Sequence, residues 1–515
     1  MKTLIYSTLL ISLCLGLMAQ NPGDLNTDFA AGGVFTERWN DTVSQVYDIG
    51  MLPDGNLILP GYYATAESVA QKVFVMNMDE QGNIPPFGNF SRGFKYELLL
   101  YGYATSVFIL PDNKMLIAGN YMPAFSNQPF VIRLNSNGQI DDTFADHGVF
   151  VDEDIYLKVN DIDVFYDGDS YKIILCGEND GTHPQIIMIN EDGSLETSFN
   201  TTGIISYDAY VGYFTDIIVD NESDQLYVCI ALADMKAALL KYNLPDGGLD
   251  PTFGVGGILS TIAFEDINLT FNTIIFNKDS DNLTAFGKYQ HTAGDLDMCA
   301  LRVNASDGSI DLSFGLNGWA WLRSAGSDED ILAAVQQSDG KYYVGGYTDY
   351  LGMDDFMLGR LKANGTSDNT FGTGGLVITE DFFDERIAGL ALSPSEDVLY
   401  AAGYSFSTDW RAIMVAAYHT GYEPEEPQPP VGFKEDQTSL VGIYPNPAVD
   451  NITINTGKAG IHRIRILDMA GRIMLERDYK GKSFNLNMEE LLPSLYFIEV
   501  TLPCMDVVIE KIIKQ

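Results

Sequence analysis

Carboxylates recur in this chain where a binding chemistry would need them to converge. Asp154, Asp208, Asp266, Asp330 and Asp384 each fall between the last short apolar run of one sequence unit and the first run of the next. Gathered around one opening, such groups supply the several oxygen ligands that Ca²⁺ takes, or a field that draws a cationic ligand. The competing reading is a set of solvated loops in a very acidic chain, and the balance of 71 Asp+Glu against 30 Lys+Arg favours it. That net charge of -41 repels phosphate backbones and anionic lipid, which excludes nucleic acid as a partner. No HExxH, GxSxG, P-loop or Rossmann glycine pattern is present, so no catalytic or cofactor-binding residue is assigned and Ca²⁺ is the one ligand ion the pattern suggests. His147, His183, His291, His419 and His462 are scattered singly. Among so many acids no spacing nominates a glycosidase pair.

The elements that would position these groups are written as a repeat. Gly, two residues, Asp, a hydroxyl residue and Phe recur at Gly23–Phe29, Gly82–Phe87, Gly138–Phe144, Gly193–Phe199, Gly248–Phe253, Gly308–Phe314 and Gly365–Phe371. The phenylalanines Phe29, Phe87, Phe144, Phe199, Phe253, Phe314 and Phe371 lie 58, 57, 55, 54, 61 and 57 positions apart. A second column is a turn followed by a strand, as in Pro53-Asp-Gly-Asn-Leu-Ile-Leu-Pro-Gly61 and Ser338-Asp-Gly-Lys-Tyr-Tyr-Val-Gly-Gly346, and Asp-Gly between apolar runs signals a hairpin. A third column is a further strand, as in Phe130-Val-Ile-Arg-Leu and Phe356-Met-Leu-Gly-Arg-Leu. About four short strands per unit, without helical periodicity, predict an all-β protein built as a seven-bladed β-propeller. The series begins with an outer strand and ends with a third strand, so the spacing predicts that Gly33–Thr36 pairs with Ile413–Ala417 and closes the ring. The repeated Phe reads as a structural wedge between blades, because a ligand site is rarely drawn seven times.

Residues 1–20 read as a secretory signal peptide: Lys2, then an apolar run from Leu4 to Met18, then Ala19. The mature chain has no further stretch of transmembrane length. Its cysteines, Cys176, Cys229, Cys299 and Cys504, show no CxxC pairing, which argues against zinc. Cys176 and Cys229 occupy one column of neighbouring units; export permits a bridge between them, while buried thiols are the reading the column favours.

Glu423–Pro430 opens a stiff, acidic, proline-rich linker over 423–438. Charge then changes abruptly, with nine basic and nine acidic residues from Ser439 to Gln515. That tail reads as short strands of a small β-sandwich over 439–515. The units of 21–422 resemble the delta-60 repeat of bacterial surface and secreted β-propellers, with the copies at Gly248 and Gly308 nearest the pattern and Pro85-Pro86 departing from it. In the tail, Tyr444-Pro-Asn-Pro-Ala-Val-Asp-Asn, Ile466-Leu-Asp-Met-Ala-Gly-Arg and Leu492-Pro-Ser-Leu-Tyr-Phe together resemble the C-terminal sorting domain of the type IX secretion system. Ser494-Leu495-Tyr496 departs where that family places a glycine. This resemblance implies a Bacteroidetes-type bacterium, an Ig-like tail engaging the secretion machinery, and a protein secreted or held at the outer cell surface. The expected function is non-catalytic binding or adhesion through a glycan or protein ligand; an extracellular polysaccharide hydrolase or lyase at the propeller mouth is the alternative.

Overall fold

The computed structural model describes residues 21–514 outside 39–42, 66–67, 89–93, 96–100, 124–125, 169, 181, 209, 234–235, 261–267, 291–295, 324–326, 351, 380–382, 408–409, 423–440, 468–471, 490, 492–493 and 502–506. The leader, the linker, Asp266, Cys504 and the Met469–Gly471 turn lie outside the described residues. The chain divides into two compact units, Met1–Pro424 and Glu425–Gln515.

Among the described residues, the first unit forms seven antiparallel sheets of four or five strands. Their first strands, in chain order, are Val43–Val46 (continued by Gly50–Met51), Gly102–Ile109, Lys158–Asp167, Gly212–Asp220, Asn268–Asn277, Asp328–Gln336 and Asp384–Leu392. In the first six sheets the following strands pair in sequence order. The seventh takes its fourth strand from the other end of the unit: Val34–Glu37 pairs antiparallel with Trp410–His419, in the register Val34 to Ala416 and Glu37 to Ile413.

Middle strands such as Gln128–Leu134 are buried along their whole length. They are covered on both faces by neighbouring sheets, so their sequences are nearly continuous apolar runs rather than alternating ones. First strands alternate instead, as Asp384–Leu392 does. Six of the seven first strands carry a register irregularity, for instance between Val159 and Asp161. The carbonyl before the irregularity presses on the second strand: a Cβ at Gly177 would lie 1.8 Å from the Lys158 oxygen. Five of the other six sheets answer with Gly61, Gly119, Gly287, Gly346 and Gly403; the fourth has Ile230.

Phe29, Phe87, Phe144, Phe199, Phe253, Phe314 and Phe371 are all buried. The rings of Phe87, Phe199, Phe253 and Phe314 lie on a glycine at the next turn, whereas Gly82, Gly193 and Gly23 meet Ala30, Ala145 and Gly372 instead. A Cβ at Gly138 would stand 2.6 Å from the Phe87 ring, and at Gly365, 2.7 Å from the Phe314 ring. The residue after each Phe donates its backbone N–H to the turn of the following motif: Ala30 to Gln81, Gly88 to Asn137, Ala145 to Glu191, Asn200 to Asp246, Gly254 to Asp307 and Gly315 to Asn364. The seventh such bond runs from Gly372 to the Pro22 carbonyl, 3.0 Å away, at the start of the first motif. A basic residue locks several motifs. Arg133, Arg302 and Arg360 pair with Asp141, Asp311 and Asp368 at 2.7–2.9 Å and lie over Phe144, Phe314 and Phe371. Burial alone would raise the Asp141 carboxyl; the Thr143 hydroxyl, Lys114 and Arg133 outweigh it and hold that group below the usual carboxylate range.

A second set of bonds stitches the first strands together. Asp48 accepts from Val107 N–H at 2.9 Å, Asp161 from Ile217 N–H at 3.2 Å, and Asp216 from Ile274 N–H at 2.7 Å, each on the next sheet. The Ser106 hydroxyl lies 3.1 Å from Asp48 and 2.9 Å from Asp161. Burial pushes Asp48 up to about 6 and Asp163 up to about 7, against the pull of their backbone donors. Burial and the adjoining Asp216 carboxyl raise Asp161, and burial raises Asp216.

The second unit is one connected five-stranded sheet. The tail expectation is corrected in one respect: Ile452–Asn455 and Ile461–Leu467 are parts of a single strand, Asn451–Leu467, with a register break between Asn455 and Gly460. Gly457 and Gly460 in that stretch let a strand bend instead of ending. Ile452, Ile454, Ile464, Ile466, Ile498 and Val500 join one core. Cys176, Cys229 and Cys299 are free, buried thiols, which settles the Cys176–Cys229 alternative in favour of thiols.

Two predictions follow from these contacts. Phe253→Ala or Phe314→Ala should destabilise the first unit by about 3 kcal/mol or more, read as a lowered melting temperature, because each leaves a cavity between two sheets; an unchanged temperature would contradict a wedge. The buried carboxyls Asp48, Asp161, Asp163 and Asp216 give a pH dependence of defined sign. Their folded values lie above the unfolded ones, so their stabilisation is complete below about pH 4 and is lost as pH rises through about 6 to 7. Melting should therefore fall between pH 5 and pH 8, and Asp161→Asn should flatten that slope. Equal slopes in both proteins would assign the effect to overall charge.

Candidate functional site

The irregularities of the first strands aim side chains inward. Tyr47, Asp48, Thr105, Ser106, Asn160, Asp161, Thr215, Asp216, Asn272 and Thr273 line one side of an open passage of about 240 Å³; Leu332, Ala333, Ala388 and Gly389 line the other. All seven sheets contribute to it. The passage thus has an acidic wall and an apolar wall.

At the end where first strands begin and second strands end, the lining becomes aromatic and basic. Tyr47 lies 6.1 Å from Tyr62 and 5.6 Å from Tyr103, ring to ring. Arg411 donates to Gln45 at 2.7 Å and to Tyr62 at 3.0 Å, beside the rings of Tyr404 and Phe406. Arg386 lies 4.3 Å from the Tyr347 ring and pairs with Asp354 at 2.5 Å. Lys288 pairs with Asp330 at 2.7 Å. Burial, then the Glu178 carboxylate, pushes the Tyr103 hydroxyl up to about 12, and burial raises Tyr47 as well. These phenols stay protonated at neutral pH.

The same end carries the exposed aromatic surface. Tyr101, Tyr156, Tyr210 and Tyr213 are the exposed tyrosines of the first unit among the described residues. They stand at the starts of the first strands of the second, third and fourth sheets. Tyr207 and Tyr210 stack at 5.6 Å, and Val211 beside them is 51% exposed.

The carboxylates singled out in the sequence are placed separately. Asp154 and Asp208 are exposed. Asp330 is 4% exposed and is held by Lys288 and, at 2.8 Å, by the Asn272 amide. Asp384 is half-buried and accepts the Asp354 N–H at 3.0 Å. Among the described residues, no three His, Cys, Asp or Glu side chains stand close enough to hold a metal ion. Sequence reasoning missed the inner carboxyls Asp48, Asp161 and Asp216; the one signal available was their placement a repeat length apart.

Comparison with known proteins gives two domain matches. Residues 442–515 match the secretion system C-terminal sorting domain, and residues 110–144 and 337–371 match a β-propeller domain of unknown function. Ulvan lyase NLR42 of Nonlabens ulvanivorans is 32% identical over 66 residues, 13% of this chain and 12% of that protein, so the chain spans about an eighth of this relative's length. Sqt1 of Chaetomium thermophilum has a similar structure at 13% identity, covering 78% of this chain and 99% of that one, with a TM-score of 0.44. PorZ, a surface component of the type IX secretion system of Porphyromonas gingivalis, shows 11% identity over 91% of this chain and 74% of that one, with a TM-score of 0.21. Scores this low add nothing beyond the likeness itself. The chain thus combines β-propeller domain matches with a C-terminal sorting domain of the kind that serves secretion to, or display on, the cell surface, a combination consistent with a Bacteroidetes surface protein.

Proposed function

We propose that the chain is a non-catalytic binding or adhesion protein: a leader at 1–20, a closed seven-bladed propeller over 21–422, a linker at 423–438, and an Ig-like sorting domain at 439–515 that engages the type IX machinery. Closure is supported by the pairing of Val34–Glu37 with the last sheet and by the bond from Gly372 to Pro22. Among the described residues, no helix is long and apolar enough to cross a membrane.

The observation that carries the binding reading is the confinement of exposed tyrosines to one end of three consecutive sheets. Tyrosine offers a rigid apolar face and a hydroxyl, and aromatic side chains are enriched where proteins meet ligands. The geometry of the carboxyls weighs against hydrolysis. A glycosidase needs two carboxyl groups roughly 5–10 Å apart with the sugar between them. Here one Ser106 hydroxyl fills the gap between Asp48 and Asp161, and Asp161 adjoins Asp216. All three accept backbone bonds from neighbouring sheets.

The mature chain, run on a glycan array beside a polysaccharide-degradation screen, should retain ligand and release no fragments. Joint replacement of Tyr210 and Tyr213 by Ala should reduce retention. Fragment release that disappears in Asp216→Asn would replace this reading with the enzymatic one. Deleting 439–515 should leave the propeller inside the outer membrane, detected by fractionation; unimpaired surface delivery would remove the sorting role.

A further inference from the structure

We infer that the seam between the second and third sheets holds a subsite for a neutral pyranose residue, built on Tyr156, Asn127 and the Lys158–Glu178 pair; this rests on the binding reading above and gives it a ligand class. A small pocket of about 150 Å³ opens there, room for one sugar ring rather than an oligosaccharide. Asn127 comes from the second sheet, just before the strand Gln128–Leu134. Tyr156 and Lys158 come from the start of the first strand of the third sheet, and Glu178 from the end of its second strand.

Each group has a chemical use. Tyr156 is 44% exposed at the pocket and presents a ring against which the C–H face of a sugar can pack. The Asn127 side-chain oxygen is buried and has no hydrogen-bond donor in the structure. Its backbone is anchored, since its carbonyl accepts Leu157 N–H at 3.1 Å. A buried acceptor without a donor is costly, and a ligand hydroxyl would relieve that cost. Lys158 and Glu178, 2.8 Å apart, place a donor and an acceptor side by side, as vicinal hydroxyls require. Thr182 adds a hydroxyl to the same wall.

Charge decides between sugar classes. Glu178 and Asp180 against Lys158 leave the pocket one negative charge in excess, on a chain of net charge -41. A uronate or sulfated sugar would be repelled both locally and at long range, whereas a neutral pyranose meets no such penalty.

The test uses the mature full-length chain, titrated calorimetrically with neutral trisaccharides of glucose, mannose and galactose, and with trigalacturonate as the acidic comparator. At least one neutral trisaccharide should bind, more tightly than trigalacturonate. Its affinity should fall about tenfold in Tyr156→Ala, through loss of the stacking face. Leu312→Ala, an exposed side chain in the Gly308–Phe314 motif away from the tyrosine-bearing end, should leave affinity unchanged, and both variants should melt with the parent. Binding of none of the neutral trisaccharides, preference for trigalacturonate, or unaltered affinity in Tyr156→Ala would overturn the subsite. Array retention that persists in Tyr156→Ala would overturn it while leaving the wider binding reading in place; loss of all retention in the parent protein would end both.

Discussion

The first unit depends on a contact that only glycine permits. At Phe87, Phe199, Phe253 and Phe314 the ring is laid where the next repeat would otherwise carry a Cβ, and the amide beside that ring bonds the carbonyl at the next turn. Any side chain at Gly138 or Gly365 would collide with the ring beneath it and push two sheets apart. The amide-to-carbonyl bond recurs at each step, so every neighbouring pair of sheets is tied at the same point of the repeat. The channel, the tyrosine-bearing end and the seam pocket are built on sheets held together in this way.

The way charge is used divides the first unit into interior and exterior. Bases are scarce, and Arg133, Arg302 and Arg360 are committed to buried pairs within the motifs. At the channel end Lys288, Arg386 and Lys158 are also paired with carboxylates. Acids at exposed turns such as Asp24, Asp54 and Asp192 mostly serve as local acceptors for backbone N–H groups. Inside the channel the order is reversed, since Asp48, Asp161 and Asp216 answer backbone donors and one another rather than cations.

Much of this architecture was legible because the interlock demands identical residues. Phe and Gly recur in every copy, and the incomplete first and last units betray the pairing of Val34–Glu37 with Trp410–His419. The inner column was illegible for the opposite reason. It needs only a residue that fits the irregularity, and it is filled by Asp48, Ser106, Asp161, Asp216, Thr273, Ala333 and Gly389, which share no chemistry. A strand-to-strand connection says where a residue enters the sheet, but not what its side chain meets there; Asp330 meets a lysine. The seam pocket could not have been read at all, since Asn127 and Tyr156 belong to different repeats and neither occupies a repeated position. In the tail, runs read as separate short strands belong to one long strand with a register break.

The borrowed strand also sets the order in which the molecule can be finished. Val34–Glu37 leaves the ribosome early, yet its partner Trp410–His419 is made nearly four hundred residues later. Until then the early strand has no sheet to join, and the incomplete chain keeps two edges open. Non-local pairing of this kind is slow to form. The outer strand of the last sheet can therefore be added only after nearly all of the first unit has been made.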